Sequence, residues 1–446
     1  MADPRKPSPR RPSRFGPYPE YKDSGVEWLG KVPAHWSLKR LKDAVVRLEA
    51  GGTPESDNRA YWTDEDDGIP WVAISDMTRS FRVHETAKHI TEEGRRSKRL
   101  RILPAGTLLY SMYASLGKVA LLETQGVTNQ AILGVVPRKG EMLRDYLRWW
   151  LEFMQAHVQM LSASNTQDNL SAERVRNMPV AAPIVIDEQL AITAFLERET
   201  AKIDTLVKNQ ERLIDLAQEK RTALIASAVT RGLNPNVPMK DSGVEWLGEI
   251  PAHWRLERLK TISTMRSGES ITAASIDANG QYPVFGGHGL RGYTTDFTHD
   301  GEHVLVGRQG AHCGNVQATR GRFWASEHAV VVTPHRENVL EWIGAVLEAM
   351  DLNQHSVAAA QPGLALDRLR DLHVPRPPAE EQGAIAAALR HETSRIDALA
   401  AKVNEVGDRL DEYRDALIEA AVTGRIDVRK YRDRQADNVC QPKATS

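Results

Sequence analysis

The sequence predicts an α+β chain with an internal repeat, in which two similar globular mixed α/β domains alternate with two long helices. Three observations predict it. The stretch Glu188–Thr230 contains no Gly or Pro and sets Ile192, Leu196, Ile203, Leu206, Leu213 and Leu224 on a 4,3 alternation. Glu199, Gln210, Ala217 and Lys220 fill its remaining positions. That heptad stripe predicts a coiled-coil helix about 64 Å long at about 1.5 Å per residue. The stretch then recurs. Glu381–Thr423 carries Ile385, Leu389, Glu392, Ile396, Leu399, Val403, Val406, Leu410, Tyr413 and Leu417 on the same alternation. Thirdly, each helix follows a region of short β-branched and apolar runs bounded by Gly, Pro or polar residues. An apolar stripe must be covered, and two such helices in one chain most simply cover each other. The plainer alternative packs each on its own globular domain.

The repeat extends beyond the helices. KDSGVEWLGKVPAHWSLKRLK at Lys22–Lys42 returns as KDSGVEWLGEIPAHWRLERLK at Lys240–Lys260, a shift of 218 positions, whereas the helix returns at a shift of 193. The second copy is therefore 25 residues shorter between its opening motif and its helix. Within these frames, 43–140 and 261–336 diverge. Strands are expected at Ile69–Ile74, Thr107–Met112, Lys118–Leu122 and Ala131–Val136, and at Tyr282–Phe285, His303–Val306 and Ala329–Thr333. Helices are expected over Met142–Leu161 and Asn338–Ala349. The copies converge again at LSAERVRNMPVAAP (Leu170–Pro183) and LALDRLRDLHVPRP (Leu364–Pro377). The expected division is a tail at 1–20, domains at 21–185 and 233–377, helices at 186–232 and 378–425, and a tail at 426–446.

Composition bounds the function. The 446 residues carry a net charge of −1, with 41% hydrophobic and 26% charged residues, as in an ordinary soluble protein. No apolar run approaches the roughly 18 residues of a membrane span. The basic, proline-rich first 20 residues have no apolar segment of a secretory signal and read as a disordered arm. Cys313 and Cys440 are the only cysteines, which excludes a disulfide framework or cysteine metal cluster and fits a cytoplasmic protein. Near-neutral charge leaves nucleic acid open, provided that basic residues cluster locally. Arg95, Arg96, Lys98, Arg99 and Arg101 form such a cluster, to be weighed against a merely solvated face.

Catalytic motifs are sparse. GxxxxGK[ST], HExxH and GxSxG do not occur. Phe285-Gly286-Gly287-His288-Gly289 is similar to the cofactor loop of DNA methyltransferases, but poor helix-forming residues follow it and no [ND]PP[YFW] tetrapeptide accompanies it. A glycine-rich turn that brings His288 and Arg291 to the surface is the expectation. His35 and His253 lie in the repeated Pro-Ala-His-Trp, where Trp36 and Trp254 are expected to anchor a buried corner. Asp64–Asp67 reads as a solvated acidic loop rather than a metal site, so no metal or cofactor is expected in this chain. Side chains suited to base edges are better represented: Asn129, Gln130, Asn165, Gln167 and Asn169 in the first copy, Arg308, Gln309, Asn315 and Gln317 in the second. Each could equally cap a turn.

Together these segments resemble the specificity subunit of Type I restriction-modification systems. The resemblance rests on the duplicated DSGVEWLGxxPxHWxLxRLK and on GGTPESDNRAYWTDEDDGIPWVAISDM (Gly51–Met77). LLYSMYASLGKVALLE with TNQAI adds Ser111, Tyr113 and Lys118 to the candidate DNA contacts. YPVFGGHGLRGYT, VLVGRQGAHCGNV and the paired EQ-initiated helices ending in AVT complete it. It implies a non-catalytic reader of double-stranded DNA, each target-recognition domain binding half of a bipartite site. The repeated helices would pack as an antiparallel coiled coil with a pseudo-twofold relation. Two methyltransferase subunits would dock on the repeats, restriction subunits would join them, and S-adenosylmethionine, ATP and Mg²⁺ would be held by those partners. The rivals are a solitary DNA methyltransferase using Phe285–Gly289 and a coiled-coil adaptor that reads no DNA.

Overall fold

The computed structural model describes residues 15–64, 68–113, 115–163, 170–309, 313–335, 337–355, 363–429 and 431. It falls into two compact units, 1–208 with 407–446, and 209–406. The long helices run over Ile186–Arg231 (46 residues) and Ala379–Val422 (44 residues). Each unit thus contains part of both helices, not one whole helix.

In the first unit a five-stranded sheet runs in the order Val45–Ala50, Ile132–Pro137, Leu108–Ser111, Val119–Leu122, Arg82–Val83. A smaller sheet pairs Val127–Thr128 with Ile69–Val72, then His89–Ile90 and Trp62–Thr63. The helix Arg144–Ala163 buries Leu147, Leu151 and Met154 in a core with Trp36, Trp150 and Phe195. The second unit repeats the plan with Ser263–Ser267, Ala329–Pro334, Glu302–Gly307 and Val316–Arg320, and a three-stranded sheet of Gly289–Thr294, Tyr282–Gly286 and Trp324–Ala325. Its helix Leu340–Ala349 buries Trp342, Ile343 and Val346.

One backbone contact recurs in the divergent parts. A Cβ on Gly51 would stand 2.1 Å from the Asn129 carbonyl oxygen, and one on Gly268 would stand 2.2 Å from that of Ser326. Only glycine lets the strand end pass so close to the neighbouring chain. Beside it, the Trp71 indole donates to the Gly52 carbonyl at 2.9 Å, and the Trp324 indole donates to the Glu269 carbonyl at 3.2 Å. These tryptophans come from different strands. Trp71 faces Val127 across a parallel pair, and Trp324 faces Val284 across the corresponding pair. The two copies have exchanged tryptophan and valine across one ladder while keeping the same bond.

The repeated PAHW and EQ motifs form one lock. Glu188 accepts from Trp36 Nε1 and His35 Nε2, each at 2.9 Å; Glu381 accepts from Trp254 Nε1 at 3.0 Å and His253 Nε2 at 2.9 Å. The adjacent Gln189 and Gln382 accept from the Leu143 and Val339 amides, at 2.8 and 3.0 Å, where the domain helices begin. That satisfies amides a helix start leaves without partners. Both long helices end at a glycine with φ of 73°, Gly232 against Trp254 and Gly424 against Trp36. Each tryptophan therefore gathers the start of one long helix and the end of the other.

Within each unit the helix halves are antiparallel. Along the first unit Glu188 shares Trp36 with Gly424, and further on Asp204 lies 3.8 Å from Arg414. The second unit has the same pair 193 positions away, Asp397 to Arg221, also 3.8 Å. The expected stripe needs a correction. Ile203, Leu224, Ile396, Val403, Leu410 and Leu417 turn inward as expected, but Leu206, Leu213, Leu399, Val406 and Tyr413 are exposed, Leu206 by 52% and Leu399 by 56%. Their places are taken by the next residues, Val207, Ile214, Ala400, Gly407 and Arg414, as Arg221 takes that of Lys220. A 3,4 alternation shares every second position with a 4,3 alternation. Glu199 and Glu392 accordingly leave the seam to Thr200 and Thr393, whose hydroxyls donate to the carbonyls one turn back. Ile192 and Leu196 at one helix start, and Ile385 and Leu389 at the other, pack into the globular cores, so both expected coverings of the stripe occur.

The tails also differ from expectation where they are described. Tyr18, Ile426 and Val428 are buried. Phe15 and Tyr431 meet Phe195 edge-on at 5.1 and 5.0 Å, Tyr431 Oη donates to Glu199 at 2.6 Å, and the Asp427 amide donates to the Gly16 carbonyl at 2.8 Å. Burial and the Glu188 carboxylate hold the Tyr18 phenol well above its usual pKa. Among the described residues no helix is long and apolar enough to cross a membrane.

Candidate nucleic-acid interface

In each unit one end of the main sheet brings half-buried polar side chains together around one exposed glutamine. In the first, Ala50 pairs with Leu133 and Ser111 with Ile132, so the segments after Ala50 and Ser111 and before Ile132 emerge together. They carry Thr53, Tyr113 and Gln130. Gln130 is exposed and accepts from the Thr53 hydroxyl. Asn129 closes its own turn, accepting from the Ala131 amide at 3.0 Å. Ser111 is buried, bonding the Ser115 carbonyl and the Lys118 amide, and so shapes the turn. Lys118 lines a cleft with Phe81 and Arg148.

The basic segment adjoins this end. A Cβ on Gly52 would lie 3.6 Å from the Lys98 side chain. The short helix Glu92–Ser97 points Arg95 and Arg96 at Glu92, whose carboxyl their hydrogen bonds lower to about 2. Lys98 and Arg99 are exposed, and Arg101 lies 3.9 Å from Glu49. Of the five, Lys98 is the cation that the fold sets beside Gly52 and Thr53. Asn165, Gln167 and Asn169 lie outside the described residues, as do three of the acidic cluster, 65–67.

In the second unit the corresponding end carries Gln309 and His328, joined at 2.9 Å between Oε1 and Nδ1. The expected surface turn is there: Tyr282–Gly286 and Gly289–Thr294 form a hairpin with His288 exposed at its tip. A Cβ on Gly287 would lie 3.1 Å from the His328 carbonyl and 3.4 Å from that of Gln309. His288, Gln309 and His328 thus share one surface, with Arg291 exposed on the returning strand. A cofactor loop between strand and helix is not what Phe285–Gly289 forms. Arg308 turns inward, donating to Ser267 Oγ at 2.9 Å and the Leu364 carbonyl at 3.3 Å. Asn315 is exposed, its carbonyl accepting from Gly307.

The family described as Type I restriction modification DNA specificity domain matches this chain twice, over 33–214 and 251–406. The chain belongs to this family. As a DNA-specificity family member it is similar to the specificity subunit of the Type I restriction enzyme EcoprrI of Escherichia coli, 29% identical over 81% of this chain and 88% of that one. A putative MjaX specificity subunit from Methanocaldococcus jannaschii is 22% identical over 90% of this chain and 96% of that one. The fold matches a chain of a solved type I R-M system assembly at a TM-score of 0.68, with 14% identity, over 88% of this chain and 98% of that one. It also matches the HsdS subunit from Thermoanaerobacter tengcongensis at 0.50, with 15% identity, over 90% of this chain and 99% of that one.

In this family member Thr53 and His328 join the sites without any warning from the sequence. Each is hydrogen-bonded to a glutamine from another loop.

Proposed function

We propose that this chain is the DNA-reading and assembly subunit of a Type I restriction-modification complex, each unit reading one half of a bipartite site. One observation carries the reading. The same sheet end is built twice on equivalent backbone, fixed by Gly51 and Gly268, yet it displays Thr53, Tyr113 and Gln130 in one unit and Gln309 and His328 in the other. Repeated backbone with different side chains at the same sheet end is what a reader of two different half-sites needs. Lys98 and its neighbours supply phosphate contacts, and the helices set the separation of the halves. The exposed Leu206, Leu213, Leu399 and Val406 offer apolar docking stripes, equivalent under the repeat, to two methyltransferase subunits. Those partners hold S-adenosylmethionine, and restriction subunits hold ATP and Mg²⁺; this chain performs no catalysis. Methylome sequencing of the host with and without the gene tests the reading. Loss of one bipartite methylated motif is expected, and an unchanged methylome contradicts it.

A further inference from the structure

Each unit holds one exposed glutamine by its oxygen. Gln130 Oε1 accepts from the hydroxyl of Thr53, which sits on the neighbouring strand's extension. Gln309 Oε1 accepts from Nδ1 of His328 at 2.9 Å, again across two segments that leave adjacent strands. Both glutamines are exposed and stand at the same sheet end, although different loops supply them. A surface glutamine has several rotatable bonds and loses rotamer freedom when held, so a bond made across two loops fixes one orientation in advance. The carboxamide oxygen faces the protein, and its NH₂ stands on the other side with its donors available.

We propose that Gln130 and Gln309 are specificity-determining residues, each delivering a preoriented amide donor to an acceptor on a base edge in its own half-site. This deepens, and rests on, the two-reader function above. The chemistry limits the bases. A bidentate grip on adenine uses both the amide oxygen and the amide nitrogen. With the oxygen engaged, the remaining donor suits purine N7, guanine O6 or thymine O4. Thr53 and His328 are positioning residues that keep the oxygen from competing for a base amino group.

The test is base-preference profiling of randomised DNA, using the full chain assembled with its methyltransferase partners. Gln130→Glu replaces the donor by an acceptor at nearly constant shape. It should lower preference for the native base at one position of the first half-site by about tenfold or more and favour a base bearing an amino group there. Gln309→Glu should do the same in the second half only. Thr53→Val, which frees the oxygen, should relax preference at the position that Gln130→Glu alters. An unchanged profile, or uniform weakening at every position, overturns the proposal, as does an effect of Thr53→Val at a different position. Exchange of residues 43–180 with another family member's serves as the control. If that exchange leaves both halves unchanged, the two-reader function itself fails; if it changes the first half while the point variants do not, only the glutamine assignment fails.

Discussion

The indole of Trp36 donates to Glu188 at 2.9 Å, tying a fully buried ring to the first turn of a long helix. The carboxylate is itself buried, and it also accepts from His35. Glu188→Ala leaves the indole N–H without its acceptor, a loss of about 2–3 kcal/mol. Glu188→Gln, which retains one acceptor oxygen, should lose less. Differential scanning calorimetry ranks them; equal stability of Glu188→Ala and the parent contradicts the lock.

The corrected seam separates two kinds of apolar residue. Ile203 is buried, and Ile203→Ala should cost about 2–4 kcal/mol by urea unfolding. Leu206→Ser and Leu399→Ser, at exposed positions, should change stability by less than about 0.5 kcal/mol while weakening association with the methyltransferase partner. Titration of partner into each variant checks this; large destabilisation by Leu206→Ser restores the original 4,3 register.

Gly51→Ala and Gly268→Ala should each disturb one reader. The added methyl meets backbone carbonyls at 2.1 and 2.2 Å, so the strand end must move. Hydrogen exchange should show loosening at Asn129–Ile132 in the first variant and at Ser326–Val330 in the second. Loosening of both units by either substitution goes against independent readers.

Seven residues added after Lys208 and seven more after Ala401 extend each helix by about 10 Å, roughly three base pairs of DNA. Methylation-site profiling should find the same half-sites with a longer gap. An unchanged gap removes the helices from the spacing role.

Much of this was legible in the sequence, for definite reasons. The long helices show themselves by an uninterrupted stripe, and the strands at Tyr282–Gly286 and Leu108–Ser111 by short apolar runs between turn residues. The alternate seam positions were not legible, because Leu206 outweighs Val207 in apolar content, and only the packing of Val207 with Leu410 on the first unit's core decides between them. The exchange of Trp71 and Trp324 depends on strand register. The tails look polar by composition, yet three aromatic rings (Phe15, Phe195 and Tyr431) close over one another there. For the site, Gln130 and Gln309 were visible as residue types suited to bases, whereas their holders Thr53 and His328 depend on which loops the sheet brings together. Ser111 and Arg308 look equally suited, and the fold uses both internally.

The most direct test of two independent readers replaces residues 43–180 with the corresponding segment of another family member and maps the methylated sites of the assembled complex. One half of the bipartite motif should change while the other half and the gap persist. A change in both halves, or in neither, contradicts it.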